Sequence, residues 1–406
     1  MSDVLRPSDE QELAAAISEA VANETPLEIL GGGTKRAVGR PLQTAAALTT
    51  EALTGITLYE PSELVIAARA GTRLSEVEAT LDKNGQQLAF EPIDLAPALG
   101  GEAGGGTIGG VFATNLSGPR RILAGAARDN LLGARAVSGR GEAFKSGGRV
   151  MKNVTGYDLS RGLAGSWGTL AVMSEVTMKV LPKAEETRSL ALLGLTDEMA
   201  VEAMCTAMGT PYEVSGTVHL QAPYAAGLSD AALSGPGLGV TVLRLENFSS
   251  SLAYRTERLT SVMAAFGKIV ELDHARSEAF WSQMRRLEVL GAAEGDLWRL
   301  SIAPKLGARL VATIGAHLGC RAAYDWSGGL IWLEVEPSSD AGATHVRRAV
   351  AEVGGYATLV RAAPAVRASV DVFQAPEPGV AAITKRLKAA FDPQGILNPG
   401  RMYPGV

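Results

Sequence analysis

Cysteine and histidine are scarce in this 406-residue chain. Two cysteines, Cys205 and Cys320, cannot build a disulfide framework, and an iron–sulfur cluster takes four thiolates, so any such cluster belongs on another chain. Four histidines, His219, His274, His317 and His345, stand singly, with no H-x-x-H spacing and no adjacent pair. That disfavours a metal centre and makes each an ordinary core or surface residue by expectation. Basic charge is not in excess either: 38 Lys and Arg stand against 43 Asp and Glu, a formal net charge of −5. With no basic stripe to neutralise a phosphate backbone, nucleic acid is not an expected partner. Long apolar runs are missing as well. The longest uncharged stretches, 103–119 and 214–229, are interrupted by Gly and Pro and are too short and polar to span a bilayer. The start, MSDVLRPSDEQEL, has no basic region leading into an apolar one, so the expected location is the cytoplasm.

Glycine is plentiful, 47 residues, and clustered at 31–33, 100–110 and 139–148, all in the first half. Close backbone approach is needed there. Around the clusters the chain reads as repeated α/β units. Ser8 and Gln11 suggest a capping box for a helix carrying Leu13, Ala16, Ile17, Ala20 and Val21, followed by a strand LEIL at 27–30 that runs into GGGTKR. A strand ELVIAARA at 63–70 and a helix with Leu74, Val77 and Leu81, stopped by Gly85, repeat the pattern. LLGARAV and EAFKS flank a turn at 138–141 as a hairpin, and 170–180 alternates as a half-buried strand. Beyond Pro182 strands such as VTVLRLE and LIWLEVE alternate with amphipathic helices, which reads as a separate α+β domain. The tail begins as a helix, meets Pro393 and ends in a Pro- and Gly-rich segment.

Gly104, Gly106 and Gly109 have the G-x-G-x-x-G spacing of a dinucleotide fold, with Asp129 about twenty residues on. The flanks EPIDLAPAL and VFATNLSGP are neither the strand nor the long helix that such a fold requires. What stays is that successive small residues free backbone N–H groups to converge on an anion, so loops at 31–35 and 104–110 could hold one pyrophosphate between them; plain turns are the other reading.

These two loops, followed by GYDLSRGLAGSWGTLAVMSEVTMKVLP and closed by FDPQGILNPGRM, resemble the FAD-binding flavoproteins of the vanillyl-alcohol oxidase or PCMH type, and among them the FAD-binding subunits of bacterial glycolate oxidases, over essentially the whole chain. The resemblance implies an α+β fold: a PCMH-type FAD-binding domain of two α+β subdomains over 1–183, a second α+β, ferredoxin-like cap domain over 184–365, and a segment 366–406 returning to the FAD domain. It assigns Gly31, Gly32, Gly33, Thr34 and Lys35 to the first pyrophosphate loop and Thr107, Ile108, Gly109 and Gly110 to the second, with Asn115 and Gly118 following. Gly125 and Asp129 match a segment continuing around the flavin. Gly165, Ser166, Gly168, Thr169 and Val172 match a turn and strand beside it, and Asn398, with Pro399 and Gly400, matches the closing motif. Covalent relatives carry a His after the first loop, where this chain has Thr34 and Lys35, so the expected FAD is non-covalent.

The same resemblance implies oxidation of glycolate to glyoxylate, with electrons passed to a catalytic flavoprotein subunit and an iron–sulfur subunit, through which the chain would lie at the inner membrane. The substrate class is a small 2-hydroxy acid. Such chemistry needs a base for the hydroxyl proton and a cation for the carboxylate. No base is identifiable. Arg244 and Arg299 lie on expected strands, as solvent-facing residues or as carboxylate partners, while Trp326 and Trp332 read as core or as a partner surface. Two rival readings are a stand-alone FAD-linked oxidoreductase of another 2-hydroxy acid or alcohol, and a scaffold that has lost its flavin.

Overall fold

The computed structural model describes residues 3–149, 157–235, 237–291 and 294–406. Strands β1 (Asp3–Leu5), β2 (Leu27–Leu30) and β3 (Ala46–Thr49) form a parallel sheet in the order β1-β3-β2. The helix Glu10–Ala22 lies between the first two and buries Leu13, Ile17 and Ala20. Its cap is Asp9, not Ser8: the Glu12 N–H donates to the Asp9 carboxylate at 2.8 Å, and Glu12 reaches back to the N–H and hydroxyl of Ser8. A carboxylate is the better acceptor at the positive end of a helix, which is why the pairing shifts by one residue from the expected Ser8–Gln11.

A second sheet is antiparallel. It takes β4 (Ile56–Glu60), β5 (Val65–Arg69), β7 (Leu131–Ser138), β8 (Ala143–Gly147) and β9 (Ala171–Lys179) in the order β4-β5-β9-β7-β8, while the two-residue strands β6 (Gln86–Gln87) and β10 (Leu181–Pro182) pair with each other. Strand β9 departs from the alternation that 170–180 suggests. Its first four residues are buried on both faces, because Ala171 and Met173 join a core with helix Ile108–Thr114 while Val172 joins the core under the opening helix. Only from Glu175 onward do buried and half-buried positions alternate.

The third sheet has eight strands, every pair antiparallel: β11 (Glu186–Leu193), β12 (Val214–Leu220), β13 (Val240–Asn247), β14 (Ile269–Leu272), β15 (Asp296–Ser301), β16 (Cys320–Asp325), β17 (Leu330–Val335) and β18 (Tyr356–Arg361). Their order, β14-β11-β13-β12-β16-β17-β15-β18, resolves into two βαββαβ units of the ferredoxin-like kind joined where β12 meets β16. The expected cap is therefore a doubled one. One face packs its own helices, with Leu243, Trp298, Leu300 and Leu333 in that core. The other carries Val218, Ala323, Trp326 and Trp332 into a core shared with Val38, Ile93, Leu95 and Leu116 from the first half of the chain.

Charge crosses the same contact. Arg244, 1% exposed, donates from both terminal nitrogens to the two carboxylate oxygens of Glu91 at 2.9 Å, and Arg120 pairs with Glu246 at 2.7 Å. The solvent-facing reading of Arg244 is thus wrong: its carboxylate partner lies 153 residues away in sequence. Trp326 and Trp332 are buried, and the Trp326 indole donates to the Gly118 carbonyl at 3.0 Å, so both serve packing.

Candidate functional site

A cleft opens where the parallel sheet, the second glycine segment and the turn before β9 converge. Its walls include Gly31, Gly32, Gly33, Thr34, Lys35, Thr107, Gly109, Gly110, Gly168 and Val172, ten of the positions singled out from sequence. The loop after β2 turns through Gly33, whose φ of +70° a side chain would strain. The N–H groups of Gly32, Gly33, Thr34 and Lys35 have no acceptor among the described residues. Four successive free donors make an anion cradle. Lys35 is buried, with no carboxylate within ion-pair reach and one contact, to the Thr34 hydroxyl at 3.4 Å. Burial pulls its ammonium below the ordinary lysine range while the Asp94 carboxylate opposes the shift. A diphosphate supplies what both the donors and the ammonium lack, so these residues fit FAD.

The second glycine loop has part of its backbone engaged within the protein. The N–H groups of Ile108 and Gly109 are already engaged by the carbonyls of Thr72 and Ala70, at 2.9 and 2.8 Å, and that of Gly110 faces the Thr107 hydroxyl at 3.3 Å. Its glycines permit close approach between protein segments. A Cβ on Gly109 would stand 2.7 Å from that of Ala70, and one on Gly32 would overlap the Gly105 carbonyl oxygen. The two loops therefore lock against each other, and the N–H groups of Gly105, Gly106 and Thr107 in the second, like those of the first, have no acceptor among the described residues.

The remaining positions stand behind or beside the cleft. Ile108 is core. Asn115 ends helix Ile108–Thr114 in the left-handed region and accepts from the Arg128 N–H at 3.0 Å. Gly118 packs against the Glu91 carbonyl; Gly125, at φ +79°, abuts Asp129, whose carboxylate takes the Ala126 N–H at 2.9 Å. Gly165, at φ +86°, and Ser166 form the turn into β9, with Thr169 donating to the Ser166 carbonyl at 2.7 Å. Gly156, which heads that motif, lies outside the described residues. Asn398, 1% exposed, ties three segments: its backbone N–H meets the Leu27 carbonyl at 3.0 Å, its side-chain oxygen accepts from Ile29 at 2.8 Å, and its amide donates to the Trp167 carbonyl at 2.8 Å.

Among the cleft residues that sequence reasoning missed are Arg401 and Trp167. Arg401 is buried at the cleft wall, donates to the Lys35 carbonyl at 3.0 Å, sits 5.8 Å from the Trp167 ring, and is pushed down to about 10 by burial. Trp167, held at φ +55°, lines the cleft beside it. The signal was present in the tail, where NPGRM places a charged residue directly after a turn.

Away from the cleft, the histidines are less isolated than their spacing suggests. His317 and His345 stack at 4.9 Å, and buried His219 bonds Thr241 at 2.9 Å and Asp197 at 3.3 Å. His274 accepts the Thr187 N–H at 3.1 Å. Arg299 is half-buried: it lies on the sheet face turned toward the first half of the chain, its Nε shielded from water.

Fold and cleft together define an FAD-linked oxidase of the PCMH type. The FAD binding domain family matches residues 2–147, and the C-terminal domain family of FAD linked oxidases matches 374–402. Crystalline p-cresol methylhydroxylase superposes with a TM-score of 0.74 over 98% of this chain and 88% of its own, at 14% identity. The glycolate oxidase subunit GlcE of Escherichia coli is 34% identical over 98% of this chain and 99% of its own length, and subunit GlcD of Bacillus subtilis is 24% identical over 98% and 88%. The chain belongs to the FAD-linked oxidoreductase family that contains GlcE. Among the described residues no helix is long and apolar enough to cross a membrane.

Proposed function

We propose that the chain is the FAD-carrying subunit of a glycolate oxidase (glycolate dehydrogenase) complex, taking part in oxidation of the CH–OH group of glycolate and acting only with its partners. The observation that carries this reading is the cradle of free N–H groups at Gly32–Lys35 in a chain that matches GlcE from end to end. We assign residues 1–183 to the FAD domain, 184–365 to the cap and 366–406 to the returning segment, with the cofactor held by the positions named from sequence. Bound in the cleft, FAD supplies the two-electron acceptor. The chain's residues do the rest: the first loop and Lys35 neutralise the diphosphate, while Arg401 and Asn398 fix the loop from behind. Trp167 closes the wall toward the cap. Among the described residues none that lines the cleft is His or Cys, which supports non-covalent attachment.

The partners in this reading are a catalytic flavoprotein and an iron–sulfur subunit, and they would hold the chain at the inner membrane. A positioned base typically contributes roughly 10²–10⁴-fold, and among the described residues the cleft lining offers no carboxylate or imidazole to act as one. Activity with glycolate and an artificial acceptor is therefore expected only after partner subunits are added. Rapid anaerobic bleaching of the flavin in the lone chain by glycolate would overturn the accessory role in favour of a stand-alone enzyme.

A further inference from the structure

Three helices turn their aliphatic residues inward: Glu10–Ala22 buries Leu13 and Ile17, Leu74–Asp82 buries Val77 and Leu81, and Gly307–Gly315 buries Leu310, Val311 and Ile314. The helix Pro378–Phe391 does the reverse. Its Val380, Ile383 and Leu387 are 54%, 50% and 41% exposed, while the one side chain it buries completely is a lysine, Lys388. Positions three, four and seven apart share a helix face, so the three aliphatic groups form one outward ridge rather than scattered points. A contiguous apolar surface of this kind marks a contact with another molecule.

The rim of the ridge is basic. Arg386 stands three residues after Ile383 and borders it, and Lys385 is exposed beside it. Arg140, exposed at the β7–β8 turn, donates its Nε to the Ala390 carbonyl at 3.1 Å and closes the far end. After Glu377 the helix has no acidic residue, and its capping Asp392 is buried against Lys388 at 2.7 Å. This concentration of positive charge lies on a chain whose net charge is −5. The inner side of the same helix reaches the cofactor cleft: Lys388 donates to the Thr169 carbonyl at 2.7 Å, and Thr169 follows the cleft residue Gly168. A neighbour seated on the ridge is separated from that wall by a single helix.

We propose that this ridge is the seat of the iron–sulfur subunit, which meets it with an aliphatic face edged by carboxylates. The proposal rests on the functional reading above for the existence of that subunit. Charge, position and composition select this occupant. Four thiolates around an iron–sulfur core leave a net negative charge, to which a basic rim is complementary. Electrons leaving the flavin have a short exit into a neighbour one helix away, and this chain, with only Cys205 and Cys320, has no cluster of its own to carry them. An anionic membrane surface is the poorer match for a chain of negative net charge. The helix also lacks the exposed aromatic residues that settle at a lipid interface, its one aromatic, Phe391, packing on Phe144 at 5.7 Å.

Interferometry of the FAD-loaded full chain with the purified iron–sulfur subunit and, separately, with the catalytic flavoprotein subunit tests the surface. The iron–sulfur subunit should bind, and more weakly as salt rises. Ile383→Ser combined with Leu387→Ser should weaken it by roughly 10- to 100-fold, the loss of two aliphatic groups from the contact. Arg386→Glu should weaken it by roughly 3- to 10-fold. Tyr254→Ser, at an exposed position on the helix Ser249–Met263, should change nothing. Circular dichroism and flavin content should match the parent's in every variant, and Arg386→Glu leaves the apolar ridge intact should the double variant fail to fold. Unchanged affinity in both ridge variants, ridge-dependent binding of the flavoprotein subunit instead, a ridge-dependent dimer of the chain in ultracentrifugation, or ridge-dependent binding to phosphatidylglycerol vesicles would each overturn the proposal. Glycolate oxidation by the reconstituted complex separates the two claims. Normal turnover with binding indifferent to the ridge sinks the surface alone, whereas ridge-dependent binding of the iron–sulfur subunit without turnover sinks the functional reading alone.

Discussion

Replacing Lys388 by Met should cost the protein its flavin as well as its stability. Lys388 is the one fully buried side chain of the helix Pro378–Phe391, and its ammonium donates to the carbonyls of Thr169 and Leu397 at 2.7 and 2.8 Å and to the Asp392 carboxylate at 2.7 Å. Asp392, 1% exposed, also accepts from the N–H groups of Ile396 and Leu397. Methionine keeps most of the side chain's volume and removes all three donors. Breaking a buried pair from one side leaves an uncompensated charge, about 3–5 kcal/mol. At roughly 2–4 °C per kcal/mol for a large domain, the melting midpoint should fall by roughly 6–20 °C. Thr169 follows the cleft residue Gly168, so the same change loosens the wall that holds the cofactor. Thermal melts followed by circular dichroism and by the rise of free-flavin fluorescence measure both effects. Pairing Lys388→Met with Asp392→Asn should recover part of the loss, because the orphaned charge disappears. A single variant within about 1 kcal/mol of the parent, or a double variant worse than the sum of its parts, would refute the argument.

Three further outcomes are expected. Acid precipitation should release the flavin into the supernatant, and colour retained in the pellet would show a covalent link. Gly32→Ala should drive the two glycine loops apart at the Gly105 carbonyl and lower FAD occupancy without unfolding the chain, as checked by the flavin-to-protein absorbance ratio. Asp325→Asn should gain stability over the parent as pH rises. A carboxyl raised from 3.8 to about 7 favours folding below its unfolded value and loses that advantage as pH climbs through 7, so the difference should grow between pH 4 and 7, approach on the order of 4 kcal/mol and then level off. Parallel denaturation curves of the two proteins across that range would expose the error.

What could be read from the sequence was local. The first glycine loop, the β7–β8 hairpin and the helix over Leu74–Asp82 announce themselves through turn residues and spacing within about ten positions. What could not be read depends on distant partners. TKRLKAAF looks like a solvated basic helix, and only the fold reveals that Lys388 points inward at Asp392. Arg244 and Arg299 sit in similar strand patterns, yet one meets Glu91 and the other meets only indole rings, because register across the sheet decides what each faces. The doubled βαββαβ plan was hidden for the same reason: its two copies share topology, while their apolar faces pack against different neighbours. Glycine spacing also misled at Gly109, where closeness to Ala70, rather than to a ligand, sets the requirement.

The contribution of Asn398 and Arg401 to the cleft bears on how the protein is made. Both stand within the last nine positions of the 406, whereas the loop they brace begins at Gly31. During synthesis the N-terminal elements emerge first and can pair early. The bracing side chains lie 366 and 369 residues from their partners and follow only after the cap has been synthesised. Cofactor capture is thereby deferred until the cap has been made, and products broken off within it, however well their early sheets fold, lack the clasp that retains a flavin.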